Sequence, residues 1–271
     1  MDAAPLQWIK GAGDIGSAIA FRMRRAGLRP VLGEVPAPLV TRRRMAFASA
    51  VYEGEAELEG LRGVRCTDEA GLLDCLEDEG CVPVLVCSDL DRPPLPPQQV
   101  VVDARMRKKR EPPVQISEAP FVLGIGPGFR AGLHVHAVVE SNWGEELGRV
   151  IWEGVALAYT GQHREVEGQG KARYLYAPHA GTFHTRHDLL ARVTQGEVVG
   201  RVDDTDLAVA IPGILRGLAH GGVAVAEGVK LVEVDPRGED RFCIGIAERP
   251  ERIAQGVLEA IRQRMPGLFT A

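Results

Sequence analysis

The chain has 271 residues, 45% of them hydrophobic and 25% charged, a balance that suits soluble globular protein and leaves length for two domains. Intrinsic disorder, collagen-like repeats and a disulfide scaffold are excluded by that composition. With 32 basic against 37 acidic residues, net −5, there is no global positive field to draw the protein onto nucleic acid, so any basic site must be local.

No stretch approaches the roughly 18 consecutive apolar residues of a membrane span. The opening, MDAAPLQWIK, lacks a basic region followed by an apolar core. No membrane partner and a cytoplasmic location are therefore expected. The five cysteines, Cys66, Cys75, Cys81, Cys87 and Cys243, are odd in number and include no CxxC pair, which predicts reduced, buried thiols rather than disulfides or a zinc knuckle. Aromatic residues make up only 5% of the chain, too few for a base-stacking platform.

In chain order, Leu6 to Lys10 reads as a short apolar strand running into Gly11-Ala-Gly-Asp-Ile-Gly16. Ile15, Ala18, Ile19 and Ala26 follow at helical spacing, with Gly27 as the stop. Arg29 to Val35 predicts a second strand, leading to a loop that bears Arg42, Arg43 and Arg44. A helix around Glu69 to Glu79, a strand Val82 to Cys87 and a strand Gln99 to Asp103 behind the proline cluster 93–97 continue the alternation. That rhythm predicts a parallel sheet covered by helices. A strand Phe121 to Ile125 enters a second glycine-rich turn, Gly124 to Gly132.

Residues 160–171 are polar and glycine-rich and read as a linker. Beyond them comes a repeat at an offset of 32 residues, in which Gly181, Phe183, Val193, Gly196, Val199 and Val202 are matched by Gly213, Leu215, Val225, Gly228, Leu231 and Val234. Two such units, each too small to bury its own apolar face, should pack into a small pseudo-twofold β-sandwich or barrel. A last strand, Phe242 to Ala247, and a helix, Pro250 to Met265, complete the expectation. The fold class is thus α/β, with a Rossmann-like parallel-sheet domain over 1–158, a small all-β domain over 172–236, and a C-terminal strand and helix over 237–271.

Gly11, Gly13 and Gly16 form a GxGxxG between strand and helix, with Glu34 ending the second strand near the ~20-residue separation of an acidic ribose contact. Glycines there let backbone amides approach a pyrophosphate at a positive helix terminus. The pattern points to a nucleotide-type small molecule, NAD or NADP, held by Gly11, Gly13, Asp14, Ile15, Gly16 and Glu34. Asp14 fits only if it caps the helix or meets a cation. Arg42 and Arg43, and the run Arg105 to Arg110, follow strand carboxyl ends, where they could grip a phosphate. Gly124, Gly126 and Gly128 supply a second amide-rich turn facing the same crevice. Asp103 is the best-placed lone carboxylate. His134 and His136 share a strand face without a third ligand, so no metal is expected. No GxSxG elbow marks a nucleophile.

These motifs resemble the YqeB family, associated with selenium-dependent molybdenum hydroxylase systems, whose Rossmann-like half is related to maturation factors of xanthine and carbon monoxide dehydrogenases. The resemblance is carried by Gly11 to Gly16, Arg42-Arg43 with Phe47, Ala50 to Gly54, Val101 to Ala104, Gly124 to Phe129, Leu147 to Ile151, Asp235 to Gly238 and Gly256 to Ala260. Ser141-Asn-Trp-Gly-Glu-Glu146 departs from the family's usual Thr-x-Arg-Gly-His-Asp-like stretch. The resemblance implies an accessory or maturation protein with a molybdenum hydroxylase client, for which molybdenum cofactor dinucleotide is a second candidate ligand. The repeat resembles the barrel-sandwich hybrid of biotinyl and lipoyl domains, but its presenting hairpin, Asp203 to Asp206, holds no lysine. No covalent biotin or lipoate is therefore expected, and docking or a homo-oligomer is the implied use. Two alternatives stay open: an NAD(P)-dependent oxidoreductase acting on a small substrate, and a non-catalytic interaction module.

Overall fold

The computed structural model describes residues 5–107 and 111–269. Two compact units arise, the first from Met1–Pro36, Ala46–Gly161 and Ile246–Ala271, the second from Ala37–Met45 and Gln162–Gly245. The chain therefore leaves the first unit after Pro36, contributes nine residues to the second, and returns at Ala46. This differs from a simple succession of 1–158, 172–236 and 237–271, because the C-terminal helix goes back to the first unit while the arginine-bearing segment 37–45 goes with the second.

In the first unit the strands are β1 (Leu6–Lys10), β2 (Arg29–Glu34), β3 (Glu55–Leu58), β4 (Leu61–Cys66), β5 (Cys81–Val86), β6 (Val100–Asp103), β7 (Phe121–Ile125), β8 (Arg130–Ala131), β9 (Ala137–Val139), β10 (Val150–Ile151) and β11 (Gly154–Val155). The helices are α1 (Asp14–Arg25), α2 (Ala50–Glu53), α3 (Glu69–Glu77) and α4 (Glu248–Arg264). Nine strands form one mainly parallel sheet in the order β10-β9-β7-β6-β1-β2-β5-β4-β3, with antiparallel edges at β3–β4 and β9–β10. The central strands are mainly apolar and covered on both sides: β1 and β7 are buried along their whole length, β1 with Gln7 and Lys10 included. Trp8 is fully buried, and its indole N–H finds the Leu90 carbonyl at 3.0 Å.

The alternation of strand and helix is readable in the sequence, whereas the β3–β4 hairpin lies between the second strand and the helix expected around Glu69, where the sequence predicts only a loop. Its signal is the turn Glu59-Gly60, where both residues have positive φ, 51° and 77°. That backbone suits a two-residue hairpin. At the other end, α1 buries Ile15, Ala18, Ile19 and Met23 on one stripe, and Gly27 at φ +80° follows its last turn. Helix α4 packs against α1, with Ile253, Val257 and Ile261 buried and Arg22 paired to Glu251. The strand expected over 242–247 does not form. A 3-10 turn, Asp240–Phe242, stands there instead, and Gly245 at φ +71° breaks the extended run before α4.

The second unit carries β12 (Tyr174–Tyr176), β13 (Gly181–His184), β14 (Arg192–Val193), β15 (Val198–Val202), β16 (Thr205–Ala208), β17 (Gly213–Leu218), β18 (Ala224–Val225) and β19 (Lys230–Asp235). They make two four-stranded antiparallel sheets, β12-β19-β17-β14 and β16-β15-β13-β18. The 32-residue repeat maps strand onto strand: β13 on β17, β14 on β18, β15 on β19. Of these mapped strands each sheet takes two from one copy and one from the other, since β14 pairs with β17 and β18 with β13, and β12 and β16 are the fourth strands. The exchange lets both copies bury Phe183, Val199, Leu215 and Leu231.

One cysteine expectation is corrected. Cys75, late in α3, and Cys81, opening β5, form a disulfide with Cα atoms 5.4 Å apart, because the helix–strand turn brings two residues only six apart into bridging range. Cys66, Cys87 and Cys243 are free.

Candidate functional site

The sheet changes direction of winding at β1. The chain moves from β1 to β2 on one side, then crosses to lay β6 on the other, so the carboxyl ends of β1 and β6 flank a topological switch point. In open α/β sheets that is where ligands bind. Lys10 and Asp103 are the paired residues at those ends, and Gly11 to Gly16 is the turn that follows.

The three glycines have different physical reasons. Gly11 sits at φ +99°, a conformation other residues avoid. A Cβ on Gly16 would overlap the Gly11 carbonyl oxygen, so this position lets α1 close onto the loop. Gly13 answers to neither constraint: its φ is −64°, and a Cβ there would meet nothing within 4 Å. It stands at the N-cap of α1 with no side-chain cap. The open space lies in front of a helix terminus whose first amides carry partial positive charge. Asp14 begins the helix, and its Oδ1 accepts the Ile15 amide at 3.0 Å, while Ile15 is buried beneath.

Glu34 ends β2, as expected for a ribose contact, but its carboxylate has an internal task. Oε2 accepts the Ala12 amide at 2.9 Å and Oε1 the Val35 amide at 2.8 Å. Burial pushes its pKa above the ordinary carboxylate value, partly offset by these two amides. The loop is held from a second direction by Ser17, whose hydroxyl donates to the Ala12 carbonyl and accepts the Phe47 amide, and by the Ala48 amide, which donates to that same carbonyl. Gly11 to Gly16 is thus a preorganised turn.

Sequence reasoning missed the polar cluster beside it. Lys10 is fully buried, and its ammonium donates to Asp91 Oδ1 at 2.7 Å, Gln115 Oε1 at 2.6 Å and Glu118 Oε2 at 2.6 Å. The amide of Gln115 donates in turn to Asp103 Oδ2 at 2.9 Å. Arg105 pairs with both Asp103 and Asp91, and Arg107 reaches Asp103 at 3.0 Å. Burial alone would raise the pKa of Asp103 and Asp91, but the guanidinium of Arg105, with Lys10 acting on Asp91, holds both below the usual carboxylate range. Glu118 goes the other way: burial raises it more than Lys10 lowers it. Three cations face three carboxylates, so the cluster is formally neutral and fixes the loops that follow β1 and β6.

Other expected site residues have different partners. Arg42 belongs to the second unit, where it grips buried Glu233 with two hydrogen bonds of 2.9 Å, and Arg43 donates to the Leu218 carbonyl at 2.9 Å. Both guanidiniums are drawn to acceptors that cannot be left bare in an interior. Within the basic run 105–110, Arg105 and Arg107 serve Asp103 and Asp91, while residues 108–110 lie outside the described residues. In the second glycine turn, a Cβ on Gly124 would overlap the Phe129 ring and one on Gly126 the Ser141 hydroxyl, and Gly126 and Gly128 have φ of +76° and +100°. Packing and turn geometry thus account for these glycines without a ligand. His134 and His136 accept the Arg130 and Val122 amides through Nδ1, which makes them turn and strand fasteners. Among the described residues no group of three His, Cys, Asp or Glu is placed to hold a metal ion, and no helix is long and apolar enough to cross a membrane.

No family profile matches the chain. Among solved structures, the product-bound ectoine utilization protein EutE (DoeB) from Ruegeria pomeroyi is 12% identical, covering 86% of this chain and 85% of that one, with a TM-score of 0.25. A succinylglutamatedesuccinylase/aspartoacylase from Rhodobacter sphaeroides is 26% identical over 31% of this chain and 29% of its own, with a TM-score of 0.23. Likeness at that level carries no argument about fold or function. Sequence similarity to a curated protein is far stronger: 37% identity over 260 residues to the uncharacterized protein YqeB of Escherichia coli (strain K12), covering 95% of this chain and 47% of YqeB. The chain is a homologue of YqeB that spans about half of that protein's length.

Proposed function

We propose that the first unit is a Rossmann-like domain that binds a nucleotide-type ligand, NAD(P) or a pterin dinucleotide form of molybdenum cofactor, on the turn Gly11 to Gly16. The observation that carries this reading is Gly13, a glycine that neither backbone conformation nor packing requires, facing open space at the N-cap of α1 on the switch-point edge. Gly11 and Gly16 supply the tight turn and the close helix packing of the same motif. The turn therefore suits a pyrophosphate, which both candidate ligands contain, and the buried Lys10–Gln115–Asp103 cluster holds its surroundings rigid.

The second unit, with its exchanged repeat, is read as a lysine-free barrel-sandwich hybrid that serves docking. Its β15–β16 turn holds Asp203 and Asp204 where a carrier domain presents a lysine. The wider role, an accessory protein in maturation of a molybdenum hydroxylase, rests on the resemblance set out above.

The test is native mass spectrometry of the purified protein, with calorimetric titration against NAD, NADP and pterin dinucleotides. The reading requires one nucleotide-type ligand to bind with a heat that disappears in Gly13→Val. Absence of any bound nucleotide, with no heat from any of these ligands, would overturn it.

A further inference from the structure

A groove of about 570 Å³ opens at the amino-terminal edge of the first unit's sheet. Leu6 and Arg29 begin β1 and β2 there, at the end of the strands opposite the glycine turn. One wall is Leu72, Leu73 and Leu76 of α3, and the other is the proline run 93–97 with Leu95. Its volume falls within the roughly 300–1,000 Å³ of small-molecule sites. Leu73 stands 48% exposed, apolar surface that an ordinary helix would turn inward.

Arg29 is the one charged residue in this lining. Its backbone amide is used by Gln7, but among the described residues its guanidinium makes no hydrogen bond and no ion pair, and its Nε is buried without a partner. An Nε buried among leucines and prolines without an acceptor carries a desolvation cost that no protein group offsets. No local acceptor relieves it. Arg24, at the same end of the unit, adds like charge and has spent its own donors on the carbonyls of Leu76, Asp78 and Glu79. A cation without a counter-ion at the mouth of an apolar groove matches a ligand with the complementary division, an anionic head on an apolar body.

We propose that this groove is a second ligand site, distinct from the glycine turn, which takes a small amphipathic anion with its acid group on Arg29 and its apolar body along Leu72, Leu73, Leu76 and Leu95.

The full chain should be titrated with octanoate and with octan-1-ol, which share an apolar length and differ in charge. Octanoate is expected to bind at one site, at least about tenfold tighter than octan-1-ol, the least expected of a charge-assisted hydrogen bond. Arg29→Met, which keeps the apolar stem, should erase the difference, and Arg29→Lys should restore most of it. Should Arg29→Met fail to fold, Leu73→Glu at an exposed position keeps the test alive, since a carboxylate at the groove should weaken octanoate about tenfold and octan-1-ol much less. Equal affinity for acid and alcohol, or an Arg29→Met protein that still prefers the acid, would overturn the proposal. So would silence toward octanoate at millimolar concentration combined with a dimer that Leu73→Glu dissociates, which would assign the groove to a second copy of the chain. Nucleotide binding at the glycine turn is measured separately, so either site can fail without the other.

Discussion

One carbon atom, added at Gly13 or at Gly16, should separate ligand space from packing space. At Gly13 the backbone is extended, φ −64° and ψ −176°, and a Cβ meets nothing within 4 Å. Alanine there loses a little N-cap preference and gains a comparable amount by restricting the unfolded chain, so stability should change by no more than about 0.5 kcal/mol. Valine is also sterically free in that backbone region, and its branches fill the opening in front of α1. At Gly16 the added carbon overlaps the Gly11 carbonyl, which must shift with the loop around it. Overpacking of that kind costs about 1–3 kcal/mol. For a chain of this size, 2 kcal/mol corresponds to a fall in melting temperature of roughly 4–8 °C. A pyrophosphate displaced by the valine loses two charge-assisted amide hydrogen bonds of about 1.5–3 kcal/mol each, so affinity should fall at least about 100-fold. Circular dichroism melts and calorimetric titration read the two effects independently. Gly13→Val should melt like the wild type and not bind, whereas Gly16→Ala should melt early. Wild-type affinity in Gly13→Val, or a destabilisation equal to that of Gly16→Ala, would refute the placement of the ligand.

Arg42→Ala should lower stability by about 3 kcal/mol, because it strips a bidentate partner from fully buried Glu233, and adding Glu233→Gln should recover part of that loss in a double-mutant cycle of urea melts. Acid should destabilise the fold: Glu233, Asp103, Asp91 and Asp235 have native pKa values held below the usual range by neighbouring cations against the opposing effect of burial. The stability they contribute is complete above their unfolded values near 4 and declines as pH falls below that, while Glu34, raised by burial, works in the opposite sense; urea melts from pH 7 to pH 3 should show the net loss on acidification. Thiol titration of the denatured, unreduced protein should count three free cysteines, and reduction should cost about 2 kcal/mol, the loop-closure value for a six-residue separation; a count of five would refute the Cys75–Cys81 bond. Co-expression with biotin or lipoate ligase should leave the intact mass unchanged, since Asp203 and Asp204 occupy the turn and Lys230 is engaged with Glu233.

Periodicity and repeats made much of the architecture legible. The strands at 100–103 and 121–125 needed no tertiary context, because strands covered on both faces read as near-continuous apolar runs, and the strand at 6–10 shows the same apolar character at Leu6, Trp8 and Ile9. The 32-residue offset fixed which strands correspond, though not that the copies would exchange them. Exchange is a property of how two faces are buried together, which no single repeat encodes. The hairpin at 55–66 escaped because its edge strand, Glu-Ala-Glu-Leu, is polar where it faces solvent, leaving only the Glu-Gly turn as a signal.

The glycine turn of the candidate site was legible in the sequence, and the side chains packed beside it were not. A glycine reports a constraint that acts within a few residues, so Gly11, Gly13 and Gly16 announced their turn. Lys10, by contrast, finds its acceptors 81, 105 and 108 residues away, and neither Asp91 nor Gln115 nor Glu118 sits in a pattern that looks unusual locally. The clue that remained was a lysine ending a buried strand in a chain with only five lysines, which requires counter-charges to converge from elsewhere. The same reasoning applies to the arginines that follow the second strand. Arg42 and Arg43 follow a strand end, where they could grip a phosphate, but a buried carboxylate outcompetes an exposed ligand for the Arg42 guanidinium, and Glu233 lies 191 residues further on, while Arg43 turns to the Leu218 carbonyl. A cation's position along the chain limits where it can reach, whereas the location of the nearest uncompensated anion decides where it goes. Arg29 is the exception that follows from the rule: its guanidinium has no such anion among the described residues, which is why the unassigned groove beside it is the place to look for one.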